Sequence, residues 1–127
     1  MIKWAGRLIT LYGAAHTLLA LTLLGAARHA GAWFSGALWH DDLAHMSTAN
    51  TAYWLSVFSF GPPLATVGLI VLWLDRRQLA PPQFLAWALG IWTLLGAVVL
   101  PLTPWPIPLV AGVLLLAGTR RAVRRAA

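Results

Sequence analysis

The stretch LITLYGAAHTLLALTLLGAA, residues 8–27, contains no charged side chain. A helix of about 20 apolar residues is what the hydrocarbon core of a bilayer requires. Lys3 and Arg7 precede the stretch and Arg28 follows it, so the nearest charges stand at its two ends. The pattern predicts a first transmembrane helix over residues 8–27.

Three further apolar stretches predict helices over residues 52–74, 84–100 and 105–119. The last is short for a span, and it includes prolines that a first helical turn tolerates. A signal peptide competes for the first stretch, but the run is longer than a signal sequence's apolar region and contains His16. The predicted fold class is all-α: an integral membrane bundle of four helices, forming a single transmembrane domain over residues 1–127.

Composition supports a lipid environment. Hydrophobic residues make up 60% of the chain and charged residues only 9%, whereas a soluble domain carries about 25% charged residues. The chain has no cysteine, which excludes disulfides and thiol chemistry. The net charge is +6, and the basic residues that produce it lie at the ends of the apolar runs and not on a polar face. We therefore expect membrane lipids as partners and no nucleic acid.

The distribution of Lys and Arg predicts the orientation. With four spans, only Arg28 lies on the outer side, in the long loop of residues 28–51 that follows the first helix. Cytoplasmic loops carry an excess of basic residues, so both termini are predicted to be cytoplasmic in a bacterial inner membrane. The residues on the cytoplasmic side are Lys3, Arg7, Arg76, Arg77, Arg120, Arg121, Arg124 and Arg125.

The outer loop gathers most of the titratable groups, in the sequence HDDLAH of residues 40–45. On a helix, Asp41 or Asp42 would reach His45, and a carboxylate beside an imidazole forms an acid–base pair. Asp41, Asp42, His40 and His45 are therefore candidate catalytic residues. A solvated loop is the alternative. A zinc site is a further one, but the spacing matches no strong metal signature, so no metal and no other cofactor is predicted.

His16 lies inside the first predicted span, where ionisable groups are costly and often functional. It is a fifth candidate catalytic residue, or alternatively a neutral imidazole bonded to a neighbouring helix, with Thr93 or Ser59 as partner. Five aromatic side chains are predicted to line a substrate cavity, since indole faces stabilise cations; interfacial anchoring is the alternative for the tryptophans. These five are Tyr12, Trp33, Trp39, Trp54 and Trp92.

Local signals add detail to the helices. Gly61-Pro62-Pro63 is predicted to interrupt the second span, and Ser47 or Thr48 to cap its start. Gly6, Thr10 and Ala14 form a stripe of small residues that permits close helix packing and leaves a homo-oligomer open.

Four stretches carry a resemblance: 13–17 (GAAHT), 32–34 (AWF), 59–63 (SFGPP) and 73–77 (WLDRR). The chain resembles a family of small, uncharacterised four-helix membrane proteins of high-GC bacteria, which implies a four-span fold and no particular activity. More loosely, its layout is similar to that of small membrane-bound terpene cyclases. Those enzymes use membrane-embedded acids to protonate an alkene or epoxide and use aromatic side chains to shelter the cation.

Two functions follow as hypotheses. The first is an enzyme of the cyclase or isomerase type, acting by acid–base or cationic chemistry on a lipophilic isoprenoid-like substrate. In it, Asp41 and Asp42 donate protons, His40 or His45 relays them, and His16 lies deep in the cavity. The alternative is a non-catalytic membrane protein: a lipid-binding or accessory subunit, or a small oligomeric transporter.

Overall fold

The computed structural model describes residues 1–100 and 102–126, and these contain helices and no strand. The helices are α1 (Ile2–Thr22), a 3₁₀ helix (Ala26–His29), α2 (Ala30–Phe34), α3 (Thr48–Leu55), α4 (Gly61–Arg76), α5 (Gln83–Val99) and α6 (Pro106–Ala126). The all-α prediction is confirmed. Pro101, between the third and fourth predicted spans, lies outside the described residues.

Helix boundaries differ from the predicted spans at identifiable signals. α1 includes the charged Lys3 and Arg7 and ends before Gly25. The φ of Gly25 is 69°, a left-handed value that a right-handed helix does not adopt. The stretch predicted as the second span forms two helices, and Ser47 caps the first of them by accepting from the amide of Asn50. Gly61-Pro62-Pro63 forms the first turn of α4, where a proline loses no helical hydrogen bond.

One helix of the described residues, Pro106–Arg124, is long and apolar enough by itself to cross a membrane. Ile2–Thr22 has this character only together with Ala26–Phe34, from which it is bent by 62°, and Gln83–Val99 is apolar but shorter. Only 33% of the apolar window in Pro106–Arg124 is buried inside the protein. The structure therefore contains one helix long and apolar enough to cross a membrane, and about two thirds of the residues in its apolar window are at least partly exposed.

The fold divides into two compact units. We call Met1–Tyr12 with the chain from Ala65 onward the terminal unit, and Gly13–Leu64 the central unit. The fully buried apolar residues of the terminal unit come from four helices, which pack around them. These residues are Ala5, Ile9, Val71, Ala86, Ala111 and Leu115.

Small residues bring the helices of the terminal unit together in antiparallel pairs. Gly68 of α4 lies against Thr10 of α1, where an added Cβ would stand 2.5 Å from the Thr10 amide nitrogen. Gly112 of α6 crosses Gly90 of α5, where an added Cβ on Gly112 would stand 3.2 Å from the Gly90 Cα. Ile2, at the start of α1, contacts Gly118, near the end of α6. Backbones approach this closely only where side chains are small.

The central unit packs the short helices against each other. α2, α3 and the 3₁₀ helix are in mutual contact. The indole nitrogen of Trp33 in α2 donates to the carbonyl oxygen of Ala49 in α3, at 2.9 Å. This bond joins α2 to α3, so the two helices on either side of the turns of residues 35–47 are held together.

Candidate functional site

A helix break inside the central unit gathers polar side chains. Where α3 ends at Leu55 and α4 begins at Gly61, backbone groups lose their helical partners. The Ser59 hydroxyl accepts from the Gly61 amide at 3.2 Å and donates to the Ser56 carbonyl at 2.7 Å. The imidazole of His16 interacts with the backbone of Leu55. Side-chain hydrogen bonds thus satisfy the backbone at the break.

His16 is packed into this break. Its ring centroid lies 4.1 Å from that of Phe60, and Gly61 lies beside it with space for no side chain, since a Cβ there would stand 2.8 Å from the Gly13 carbonyl oxygen. Ser59, a predicted partner of His16, instead bonds the backbone of the break. The surroundings of His16 give it a structural role in closing the break.

The predicted Asp–His cluster lies on turns between α2 and α3. Nδ1 of His45 lies 3.1 Å from a carboxylate oxygen of Asp42, so the pair expected from the three-residue spacing forms. Asp41 instead accepts from the hydroxyl and the amide of Ser47, at 2.7 and 3.1 Å. Because Ser47 also caps α3, Asp41 fixes the residue that starts this helix.

Both carboxyl groups are held in their ionised form. Hydrogen bonds from Ser47 lower the pKa of Asp41. The backbone amide of Ala44, and then the His45 side chain, lower the pKa of Asp42. A general acid at neutral pH requires the opposite shift. The geometry suits carboxylates that organise the loop.

His40 is exposed, as is Trp39, whose side chain is 84% accessible. Within the described residues, no three His or Asp side chains come together in a group that could hold a metal ion. The sequence-predicted acid–base residues of the loop therefore form one pair, Asp42 with His45, and not a single cluster.

Four of the five predicted cavity-lining aromatics, all but Trp39, fall into two groups. In the central unit, Trp33 meets Tyr53 edge-on with ring centroids 5.7 Å apart, and Trp54 meets Phe58 at 4.8 Å. Tyr53 stacks on Phe58, which links the two pairs. These rings pack α2 against α3 and against the break between α3 and α4, so each ring is in contact with another ring of the group.

The second group lies in the terminal unit around Trp105. Trp92 contacts the Trp105 ring edge-on at 4.9 Å, and Tyr12 lies 6.1 Å from it. A Cβ on Gly96 would stand 2.6 Å from the same indole. Trp105 thus fills the space between the start of α6 and its neighbours, a role that the sequence did not indicate.

A groove in the central unit was missed by sequence analysis. Its volume is about 190 Å³, and its walls come from the end of α1, the 3₁₀ helix and α3. The floor is apolar, formed by Ala20, Leu24, Ala26, Ala52 and Leu55. The polar residues of its lining are Arg28, His29, Thr48 and Thr51.

Arg28 is fixed at the groove by the turn that precedes it. Its Nε donates to the carbonyl of Gly25 at 3.1 Å. A Cβ on Gly25 would stand 2.6 Å from the guanidinium, so glycine gives the side chain the room to fold back. No carboxylate of the described residues forms an ion pair with Arg28. The groove therefore combines an apolar floor with one uncompensated cation.

The sequence matches one family over almost its whole length. Residues 1–122 fit DUF6463, which is described as a family of unknown function, and the chain belongs to that family. No curated protein and no solved structure matches the chain.

Proposed function

We propose that the chain is a four-span protein of the bacterial cytoplasmic membrane that binds a phospholipid in the groove beside Arg28, without catalysing a reaction. The spans would be α1, the broken pair α3 and α4, then α5 and α6. Both termini would be cytoplasmic and the groove would open at the outer leaflet. This is the lipid-binding, non-catalytic alternative of the sequence analysis.

Exposed apolar side chains support the membrane part of the proposal. Leu23 leaves 79% of its surface exposed, and Val98 leaves 70%. Monomeric soluble proteins rarely present wide apolar patches, whereas lipid tails solvate them without cost. Broken helices at membrane depth also require their backbone groups to be satisfied within the protein, and the Ser59 hydroxyl binds backbone groups of Ser56 and Gly61 at this break.

The groove carries the binding part of the proposal. An uncompensated guanidinium attracts a phosphate, for which arginine offers several donors at once. The apolar floor beside it suits the first carbons of an acyl chain. Thr48 and Thr51 add hydroxyl groups at the same rim. A phospholipid supplies both of these chemistries in one molecule.

A photoreactive phospholipid tests the proposal. The protein would be reconstituted in phosphatidylglycerol vesicles that contain a lipid with a diazirine near the head of its acyl chain. We expect crosslinks on residues that line the groove, and we expect Ala52→Trp to reduce them several-fold by filling the floor. Ala88→Trp, at an exposed position of α5, should leave them unchanged. Crosslinks spread evenly over all exposed helices would contradict a groove site.

A catalytic function is the second candidate, because Asp42 and His45 are in contact at 3.1 Å. It would be an acid–base reaction, cyclisation or isomerisation, on an isoprenoid-like substrate. A panel of linear isoprenoid alkenes and epoxides would be incubated with the purified protein. Turnover that is lost in Asp42→Asn and kept in Ser35→Ala would support the enzyme. Equal turnover in the wild type, Asp41→Asn and Asp42→Asn would exclude a role for these acids.

A further inference from the structure

The terminal unit collects basic side chains from three helices at one end. Lys3 and Arg7 come from the start of α1, Arg76 from the end of α4, and Arg121 from the last turns of α6. The contact of Ile2 with Gly118 holds the first and last of these helices together. Asp75 is the only acidic residue of this unit.

The cations at this end are of two kinds. Some guanidinium groups lie on indole faces, with Arg77 5.1 Å from the Trp73 ring and Arg120 5.4 Å from the Trp87 ring. Such cation–π contacts hold a charge at a membrane interface. Among the described residues, Lys3, Arg76 and Arg121 have no such ring contact and line two cavities. Arg7 also lines one of these cavities, while its guanidinium lies 4.9 Å from the Trp4 ring.

The two cavities share Asp75. The larger, of about 360 Å³, is lined by Lys3, Arg7 and Arg76 among others. The smaller, of about 240 Å³, has Arg121 in its lining. None of the described basic side chains forms an ion pair with Asp75. Each cavity therefore retains positive charge, and a single carboxylate stands between them.

We propose that the two cavities bind the headgroup of an inner-leaflet lipid that carries two phosphates, one in each cavity. The carboxylate of Asp75 repels a phosphate placed midway, which favours two separated phosphates over a single central one. A hydroxyl between the two phosphates would donate to Asp75. Basic pockets between helices on the cytoplasmic side suit such headgroups. The proposal rests on the membrane orientation proposed above, but not on the groove at Arg28.

Native mass spectrometry of the protein released from vesicles provides the test. The vesicles would contain phosphatidylcholine with equal small amounts of cardiolipin, which has two phosphates, and phosphatidylglycerol, which has one. We expect selective retention of cardiolipin. Arg76→Gln should lower this retention about fivefold, since one basic group near a lipid surface is worth roughly that factor. Flotation of each variant with vesicles checks membrane insertion separately, so a failure of insertion is distinguished from a failure of headgroup binding.

Matched control variants distinguish cardiolipin binding in the two cavities from a general attraction of the basic residues to anionic lipid. Arg77→Gln removes the same charge from the neighbouring position, but from a side chain that lies on Trp73, so cardiolipin retention should stay near the wild-type level. Equal losses in Arg76→Gln and Arg77→Gln would overturn the proposal. Asp75→Asn should weaken the preference for cardiolipin over phosphatidylglycerol. Displacement of cardiolipin by an equal concentration of inorganic pyrophosphate would overturn the assignment to a lipid.

Discussion

Gly68 occupies a position where the main chains of α1 and α4 leave no room for a side chain. An added Cβ would stand 2.5 Å from the Thr10 amide nitrogen and 2.9 Å from the Gly6 carbonyl oxygen, and neither backbone atom can rotate away. We predict that Gly68→Ala lowers the free energy of unfolding by about 1–3 kcal/mol, as overpacking does. Thermal unfolding in detergent measures the change.

Gly90 is the control for that substitution. A Cβ at Gly90 would meet no atom within 4 Å. Gly90→Ala should therefore stabilise helix α5 by up to about 1 kcal/mol, through helix propensity alone. If Gly68→Ala and Gly90→Ala shift the unfolding temperature in the same direction, the close approach at Gly68 does not limit stability.

The two carboxyl groups between α2 and α3 should titrate below their ordinary range. The pKa values of Asp41 and Asp42 are both lowered by hydrogen bonds that the folded loop provides. A depressed pKa means that the stabilisation is fully present above the unfolded value, about 3.9, and is lost as the pH falls through the folded value. Chemical shifts of the Ser47 and Ala44 amides, followed by NMR from pH 6 downward, would report this. Midpoints above 3.9 would contradict the hydrogen bonds.

The spacing of residues along the sequence predicted only one contact of this loop, the pair of Asp42 and His45. Asp42 and His45 are three residues apart, and they meet although the segment forms turns and not a helix. The partner of Asp41 is Ser47, six residues on. That contact depends on the start of α3, because Ser47 must be placed there to cap the helix. No periodicity encodes such an arrangement.

At the scale of elements, the two prolines indicated that the second apolar stretch is interrupted, but they did not indicate whether the break precedes or follows them. Pro62 and Pro63 lie in the first turn of α4, which tolerates them. The interruption falls before them, where Ser56 and Ser59 bind the backbone. Serine competes for backbone hydrogen bonds near helix ends, and this signal marks the break better than the prolines do.

His16 should stabilise the break through its interaction with the Leu55 backbone and its packing on Phe60. We predict that His16→Leu costs about 1–3 kcal/mol of unfolding free energy, because it removes the polar group that interacts with the Leu55 backbone. His16→Gln keeps an N–H donor and should recover much of the loss. Denaturant unfolding in a fixed detergent would measure both variants.

The same two variants distinguish a structural role from a catalytic one. A His16 that transfers protons could not be replaced by glutamine, whose amide does not titrate. A stable His16→Gln protein that loses its activity would therefore contradict the structural role. A His16→Leu protein as stable as the wild type would do so as well.

At the scale of the whole molecule, composition and charge were informative, whereas the sites were not visible in the sequence. The apolar stretches correctly predicted helices and no strand over the residues that the structure describes. The groove beside Arg28 requires three separate segments to meet, and the two cavities around Asp75 require the start of α1 to meet the ends of α4 and α6. The sequence shows each charged residue, but tertiary packing determines which residues lie next to it in space.

The proposed orientation has a direct chemical test, because the chain contains no cysteine. Ser35, in the outer loop, and Ala80, between α4 and α5, are both exposed, so each accepts a single cysteine without disturbing the core. In intact cells whose outer membrane is permeabilised, we expect a membrane-impermeant maleimide to label Ser35→Cys and not Ala80→Cys. Opening the inner membrane should then expose Ala80→Cys to the reagent. The basic residues at the ends of α4 and α6 predict this asymmetry, since they favour the cytoplasmic side. Labelling of both positions in intact cells, or of Ala80→Cys alone, would refute the four-span orientation.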